Sequence, residues 1–510
     1  MHFFLSLLVV ATTMAVAVSA AGPRAYVETA YSHTLTTALR DASLDVFHDK
    51  FSSVALPDVA GRASAFIGSV DYALRSLLLQ SVALNNAQLV FLPPSRIVVK
   101  SVDLAAAASF HWSYREVAWP HASDGGSGTA RVSRTSVELT IELSKAEDGR
   151  PTVAVADANV VVGELDISLS GGASWLYKFV LGAFKAHAVD SLQSALRDAV
   201  VDAFTEQASA FVAALPLRLD LGAKTGLPVG TVDLSLVAAP VVDDAFVRSS
   251  HLGRIVDPAD PAHAYEPTVE VGPLPALDSG RDVQMAVSAG LLNSDFSYMY
   301  ATKALNTQLV ALPASSPIQL LVSNFRQMVP ALAKYFKDSQ QMLAVVTLDA
   351  PPNITLSASR GVLLEAHASI AFSVYPDGIV VTDPATAPAA AFAYELGAVF
   401  KASASFALAP ASAPPSHTLL VGSVAGLDVD LSARRSAIGP VDATTTSQFA
   451  NFALHRVLVP QLNGYLSTGY PLPLAAGIDL VDPELTTLDG AFLINSGVKI
   501  SAALLESLLE

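Results

Sequence analysis

Around Gly171 the hydrophobic period of the chain changes, and the change dictates a strand that runs into a long helix. Upstream, Leu165, Ile167 and Leu169 alternate with Glu164, Asp166 and Ser168, the period-two pattern of a strand with one buried face. Downstream, Val189, Leu192, Leu196, Val200 and Ala203 recur every three or four residues, out to about Leu215-Pro216. A helix of this length needs an apolar sheet of matching length to lie on. The phase predicts Val189, Leu192, Leu196 and Val200 against the sheet and Asp190, Gln193, Arg197 and Asp198 in water.

The rest of the chain supplies that sheet, and does so twice. Residues 26–51 carry Leu35, Leu39, Ala42, Val46 and Phe47 at helical spacing, which predicts an amphipathic helix ending before Leu56-Pro57. Strands are predicted over 96–110 and 137–143, extended by Val153 and Val155, with a loop at 123–128 where Ser, Asp and Gly cluster. After residue 282 the order repeats. Helical segments are predicted over 291–312 and 323–336. Strands follow over 362–374, 400–408 and 427–431, and a last helix over 447–466, kinked at Pro460. Between the halves, residues 251–282 hold Asp257-Pro258, Asp260-Pro261, Glu266-Pro267, Gly272-Pro273 and Leu274-Pro275, a stiff acidic connector. The expected division is a signal peptide at 1–20, a first barrel at 21–250, the connector at 251–282 and a second barrel at 283–510.

The signal peptide rests on the apolar run 3–18 followed by Ser19-Ala20-Ala21, and it implies a secreted or lumenal protein. Cysteine is absent, so the core alone must hold a secreted fold. Hydrophobic residues make up 52% of the 510 and charged residues 15%, so much apolar surface needs a place to be buried. The net charge of −16, concentrated after residue 240, argues against nucleic acid and strongly anionic surfaces as partners. Asn353-Ile354-Thr355 is a candidate glycosylation sequon at Asn353.

The segment SGGASWLYKF at 170–179, leading through the long helix to LPLRLDLG at 215–222, resembles the bactericidal/permeability-increasing and lipopolysaccharide-binding protein family, part of the tubular lipid-binding superfamily. Further anchors occur in order. They are residues 54–58, 232–240, 283–300 (VQMAVSAGLLNSDFSYMY), Ile438-Gly439-Pro440 and 463–473. The resemblance implies an α+β boomerang: two like domains, each a twisted antiparallel sheet wrapped around long helices, joined by a central sheet. It implies an apolar pocket in each for the acyl chains of a phospholipid. With the repeated element order, the first pocket is expected to involve Leu35, Leu39, Trp175 and Phe179. The second is expected to involve Phe296, Tyr300, Phe449 and Phe452. Which helix residues line a pocket and which are core is left open, for Phe184 and Phe204 as for these. The disulfide common in that family has no counterpart here. The basic tip of its bactericidal members is reduced to Arg40, Lys50, Arg96, Lys100, Arg131 and Arg134, dispersed among acids.

No Gly-x-Ser-x-Gly, His-Glu-x-x-His, phosphate-loop or dinucleotide pattern occurs. His33 with Asp45 or His48, His187 with Asp190, and His111 read as helix-surface or structural residues rather than catalytic ones. Arg434-Arg435 is expected in a turn. The expected function is therefore non-enzymatic lipid binding or transfer by a monomer. Phospholipid or another amphipathic lipid is its expected ligand, no cofactor is expected, and contact with membrane surfaces is expected to be transient. The alternatives are an innate-immune lipopolysaccharide-binding or antibacterial protein, and a structural or adhesive protein with closed pockets.

Overall fold

Three strands from distant parts of the chain meet in the middle of the molecule. This computed structural model describes residues 24–33, 36, 55–56, 58–65, 68–171, 217–220, 230–269, 272–277, 281–309, 319–383, 385, 387–410, 418–467, 470–471 and 478–500, with scattered positions between 189 and 213. The strand Val27–Ser32 lies between Phe246–His251 and Val283–Ser288, antiparallel to both, with Ala30 opposite Arg248 and Gln284. Ala491–Ile500 and Ile478–Leu488 extend this sheet on one side and Val241–Val242 on the other, giving six strands. Both halves contribute, so the sheet fastens them together.

The first half is a long curled sheet. A 25-residue strand, Gly68–Leu92, pairs with Arg96–Glu116, which pairs with Ser123–Lys145, and that strand pairs with both Pro151–Val161 and Glu164–Ser170. Register breaks between Arg75 and Leu78, Leu79 and Ser81, and Ser101 and Leu104 put bulges into these strands. Bulges raise local twist and bend long strands, which lets the sheet curl. The second half repeats the plan with Met342–Leu348, Gly361–Val374, Ala391–Pro410 and Thr418–Ser436 in consecutive antiparallel order.

Several expectations are corrected. Residues 27–32 are strand rather than helix; all six are buried, and a strand covered on both faces loses its alternation. Helical backbone begins at His33, and residues 37–54 lie outside the described residues. The 123–128 segment is strand, and the turn sits earlier, at 117–122. Its glycines allow close approach: a Cβ on Gly128 would come within 2.7 Å of the Phe110 ring, and one on Gly126 would collide with the Ser170 carbonyl. The connector contains strands Arg254–Val256 and Ala264–Tyr265, which pair with each other around the Asp257-Pro258 and Asp260-Pro261 turns.

The helix expected over 291–312 is Ala289–Ala301. It stops where Lys303 takes φ +58° and the Ala304 N–H returns to the Met299 carbonyl at 2.8 Å. Leu309 belongs instead to the strand Thr307–Leu309. The 323–336 helix is two four-residue pieces, Val322–Phe325 and Leu332–Tyr335, on either side of Pro330. The last helix begins at Ala443, capped by the Asp442 carboxylate, which accepts from Thr444 N at 3.0 Å and Thr445 N at 3.2 Å. It passes Pro460 through a π-helical turn, Leu454–Leu458, before resuming as Val459–Ser467. The wider turn makes room where the proline ring would press on the carbonyl four residues back. Arg434 and Arg435 lie in the strand Thr418–Ser436, paired with Asp349 and Glu395 rather than free in a turn.

Candidate functional site

In the first half, the inner face of the sheet is built low in the middle. Leu104, Ala106, Ala108 and Phe110 are the buried residues of one face of Arg96–Glu116, and Ala106 and Ala108 oppose Val132 and Ala130. They join Tyr72, Leu74, Leu77, Val132, Val162 and Leu165 in one apolar cluster. The described positions between 189 and 213 are helical and lie over this sheet. Val189 and Leu196 pack on the alanine-containing cluster but stay only partly buried. Farther along, Phe204, Ala208 and Val212 are sealed against Ile97, Leu139, Ile141, Leu143 and Val153, with Val242 and Val247 of the central sheet. Burial at the described positions is thus graded along the helix: Phe204, Ala208 and Val212 are sealed beside the central sheet, and Val189 and Leu196 are only partly buried farther from it.

The expected phase holds where it is described. Val189, Leu196 and Val200 face the sheet; Arg197 and Asp198 are exposed and paired with each other at 3.0 Å. Gln193 differs: its Oε1 accepts the Val162 N–H at 3.0 Å, a donor freed where the strand Pro151–Val161 ends. Phe204 is core, 2% exposed. Leu35, Leu39, Trp175, Phe179, Phe184, Asp190 and Leu192 lie outside the described residues.

In the second half, the last helix lies along the edge of Thr418–Ser436 beyond its short pairing with Tyr470–Pro471, and supplies partners to that edge. Asn451 accepts from Val429 N at 2.6 Å and donates to Val429 O at 3.0 Å; Asn463 does the same for Val424, at 2.6 and 3.2 Å. Ser447 Oγ accepts from Leu431 N at 2.8 Å. Each asparagine amide presents one acceptor and one donor, as a neighbouring strand would. Phe449 is partly buried against an outer cluster that includes Phe372, Tyr394, Leu332 and Met342. Phe452, one turn on, is 57% exposed, with the Arg456 guanidinium carbon 5.9 Å from its ring centroid.

The helix Ala289–Ala301 buries a small polar face, not its apolar one. Asn293 bonds both the N–H and the carbonyl of Ile354, and Ser294 bonds Ile255 N and the Tyr265 carbonyl. Leu291, Phe296, Met299 and Tyr300 are left half-buried, and Tyr300 donates its hydroxyl to the Asp349 carbonyl at 3.2 Å. Phe296 and Tyr300 are therefore placed on a half-open face, whereas Phe449 belongs to the outer cluster. Asn353 opens the strand Asn353–Ser357 and is half-buried, with its Oδ1 sealed from solvent.

The buried titratable groups among the described residues are held by packing and by backbone contacts. His33 stacks on Phe91 at 3.5 Å, and burial lowers its pKa. His251 is fully buried with Nδ1 2.7 Å from the Leu234 carbonyl, and burial pushes it down to about 4. Glu28 in the central sheet is pushed up to about 7 by burial, against the pull of Arg248. Burial raises Asp295 to about 6, although its carboxylate accepts the Gly230 N–H. Asp45, His48 and His187 lie outside the described residues, and His111 is exposed on its strand. Among the described residues no group of three or more His, Asp or Glu is placed to hold a metal. None of their helices is long and apolar enough to cross a membrane. Arg96 and Lys100 form cross-strand ion pairs with Glu142 and Glu138, and Arg134 pairs with Glu164. Arg96 adjoins the turn whose Pro94 carbonyl binds Val242 of the central sheet, so it is not at a tip.

Two curled antiparallel sheets, each carrying a lengthwise helix and both fastened to a shared central sheet, define a two-domain α+β boomerang. The chain belongs to the LBP / BPI / CETP family: the family's N-terminal domain matches residues 38–205 and its C-terminal domain residues 228–500. Similar proteins include a bactericidal permeability-increasing protein of Sebastes schlegelii, 23% identical over 91% of this chain and 92% of that one. A lipopolysaccharide-binding protein of Bos taurus is 24% identical over 86% and 85% of the two chains. A putative BPI/LBP family protein of Arabidopsis thaliana is 21% identical over 85% and 84%. The crystal structure of lipopolysaccharide binding protein shares the fold, with a TM-score of 0.54 and 21% identity over 94% of this chain and 99% of that chain.

Proposed function

We propose that this protein is a secreted, non-enzymatic lipid carrier that shields the acyl chains of phospholipids on the half-open apolar faces of its two halves. The graded burial of the long first-half helix carries the reading. Val189 and Leu196 stay only partly buried against the apolar cluster that contains Ala106 and Ala108, while Phe204, Ala208 and Val212 of the same helix are sealed. A lipid chain fits such a surface because each methylene removed from water contributes about 0.8 kcal/mol. Phospholipid is the ligand, no further cofactor is needed, and export follows from the signal sequence proposed for residues 1–20. Trp175, Phe179, Leu35 and Leu39 complete the first pocket in this reading, and Phe296 and Tyr300 line the second. Delipidated protein should take up fluorescent phosphatidylcholine to saturation. Failure to bind any amphipathic lipid would favour the structural alternative.

The names of the relatives raise lipopolysaccharide as a second ligand. The charge distribution weighs against it: Arg96, Lys100 and Arg134 are spent in ion pairs on a chain of net −16. Lipopolysaccharide should bind weakly at physiological salt, and tight, salt-sensitive binding would reveal a basic patch that overrides the net charge.

A further inference from the structure

Among the described residues, the strand Val27–Ser32 alone joins strands of the first half to strands of the second within the central sheet. On one side it pairs with Phe246–His251, which carries Val241–Val242. On the other it pairs with Val283–Ser288, which carries the hairpin over 478–500. Without it the sheet separates into a two-stranded piece from one half and a three-stranded piece from the other. The joint therefore depends on how firmly these six residues are seated.

Their side chains include polar groups that gain little from being seated. Glu28, 9% exposed, lies opposite Ser250 and Ala286, on a face where Ala30, Ala286 and Phe246 pack with Leu274, Leu277 and Leu493. Arg248 of the neighbouring strand pulls on its carboxylate, but that guanidinium is paired with Asp243 at 2.8 Å. Neither Val283–Ser288 nor the connector stretch 272–277 over this face carries a titratable side chain. Nearby acids are engaged elsewhere: Asp282 by the Val498 N–H at 3.2 Å, Glu484 by Arg281 at 3.2 Å and Glu266 by the Tyr26 hydroxyl at 3.1 Å. On the opposite face Tyr31 and His251 are buried, and Thr29 Oγ1 and Ser249 Oγ, in register with each other, are sealed without hydrogen-bond partners. Burial without an ion pair favours the neutral acid, which raises Glu28 from 4.5 to about 7. Release into water returns the group to its ordinary value, so loss of the proton favours release.

We propose that Glu28 makes the strand Val27–Ser32 a pH-dependent latch on the joint between the halves. Protonated, it seats the strand and holds the two halves in one sheet. Ionised, it loosens the strand and lets one half move against the other.

The test is amide hydrogen exchange on the full chain between pH 5 and 8, with each rate divided by the intrinsic rate at that pH. In wild type, opening of residues 27–32 should rise by up to about tenfold per pH unit as far as pH 7 and then level off. Ser123–Lys145 and Gly361–Val374, which lie outside the central sheet, should keep their protection throughout. Glu28→Gln should abolish the slope. Asp295→Asn removes another carboxyl raised by burial, outside this strand, and should leave the slope in place. Because the chain has no cysteine, spin labels on Ser168→Cys and Ser405→Cys, both exposed, mark one site in each half. Their distance distribution should be broader at pH 8 than at pH 5 in wild type and the same at both in Glu28→Gln. Flat protection of residues 27–32 across this range in wild type overturns the latch, whether or not the variant folds. So does a slope that survives in Glu28→Gln, or one shared equally by every strand. A slope with no change in the distance distribution confines Glu28 to local stability and overturns its control of the halves.

Discussion

Glu28 holds a carboxyl group inside the central sheet, opposite Ser250 and Ala286, and this gives stability a definite pH dependence. Its folded pKa of about 7 lies above the ordinary 4.5, so between those values the folded chain binds a proton that the unfolded chain releases. The stabilisation it supports is complete below about 4.5 and is lost as pH rises through 7. Asp295, raised from 3.8 to about 6, acts in the same direction. His251 acts oppositely: with a folded value near 4 against 6.5, it costs stability as pH falls below 6.5. Glu28→Gln should therefore melt higher than wild type at pH 8 and close to it at pH 4.5, in paired thermal scans. A lower melting point at pH 8 would contradict the burial argument. Facing on the long helix is tested at the same scale. Leu196→Asp puts an unpaired charge into an apolar seam and should cost several kcal/mol, whereas Arg197→Asp should stay within about 0.5 kcal/mol. Greater damage from Arg197→Asp in denaturant titrations would mean the helix phase is wrong. That phase was legible in the sequence because period alone sets it. The turn of Gln193 toward Val162 was not, because it depends on where another strand ends.

The last helix is an edge cover as much as an apolar lid. Asn451 and Asn463 bond the backbone of Val429 and Val424, strand positions that would otherwise present unpaired groups. Asn451→Ala and Asn463→Ala should each cost about 1–3 kcal/mol, since each leaves a part-buried donor and acceptor without partners. Amide exchange at Val429 and Val424 should speed up in the matching variant. Unchanged exchange would mean the helix is held by apolar packing alone. Strands such as 137–143 and 362–374 were readable because one face is buried and the other wet. Val27–Ser32 reads as helix in the sequence because its burial on both faces erases the alternation, and the residues after it, from Leu35 to Phe47, carry a helical spacing. The asparagine seats were not readable, because a polar residue on a helix gives no sign of the strand edge it will meet.

At the scale of the whole molecule, the central sheet is the joint that makes two similar halves one protein. It takes Val27–Ser32 from the beginning, Phe246–His251 from the end of the first half and a hairpin over 478–500 from the end of the second. Nothing local in those segments announces the pairing, so the repeated order of elements was legible and the joint was not. The resemblance carried by segments such as 170–179 and 283–300 supplied the boomerang that the family match and the shared fold bear out. Of the candidate lining residues, Phe296 and Tyr300 are half-buried on their helix, and Phe449 packs against the cluster of Phe372 and Tyr394. The central claim is that the apolar faces of the two halves hold lipid. Mass spectrometry of the full chain, purified without detergent and measured first under native and then under denaturing conditions, tests it most directly. The account predicts native mass increments of phospholipid size, up to one per half, released on denaturation as intact phospholipid. A protein that runs at its bare mass, and takes up no lipid on incubation with phosphatidylcholine vesicles, would contradict it.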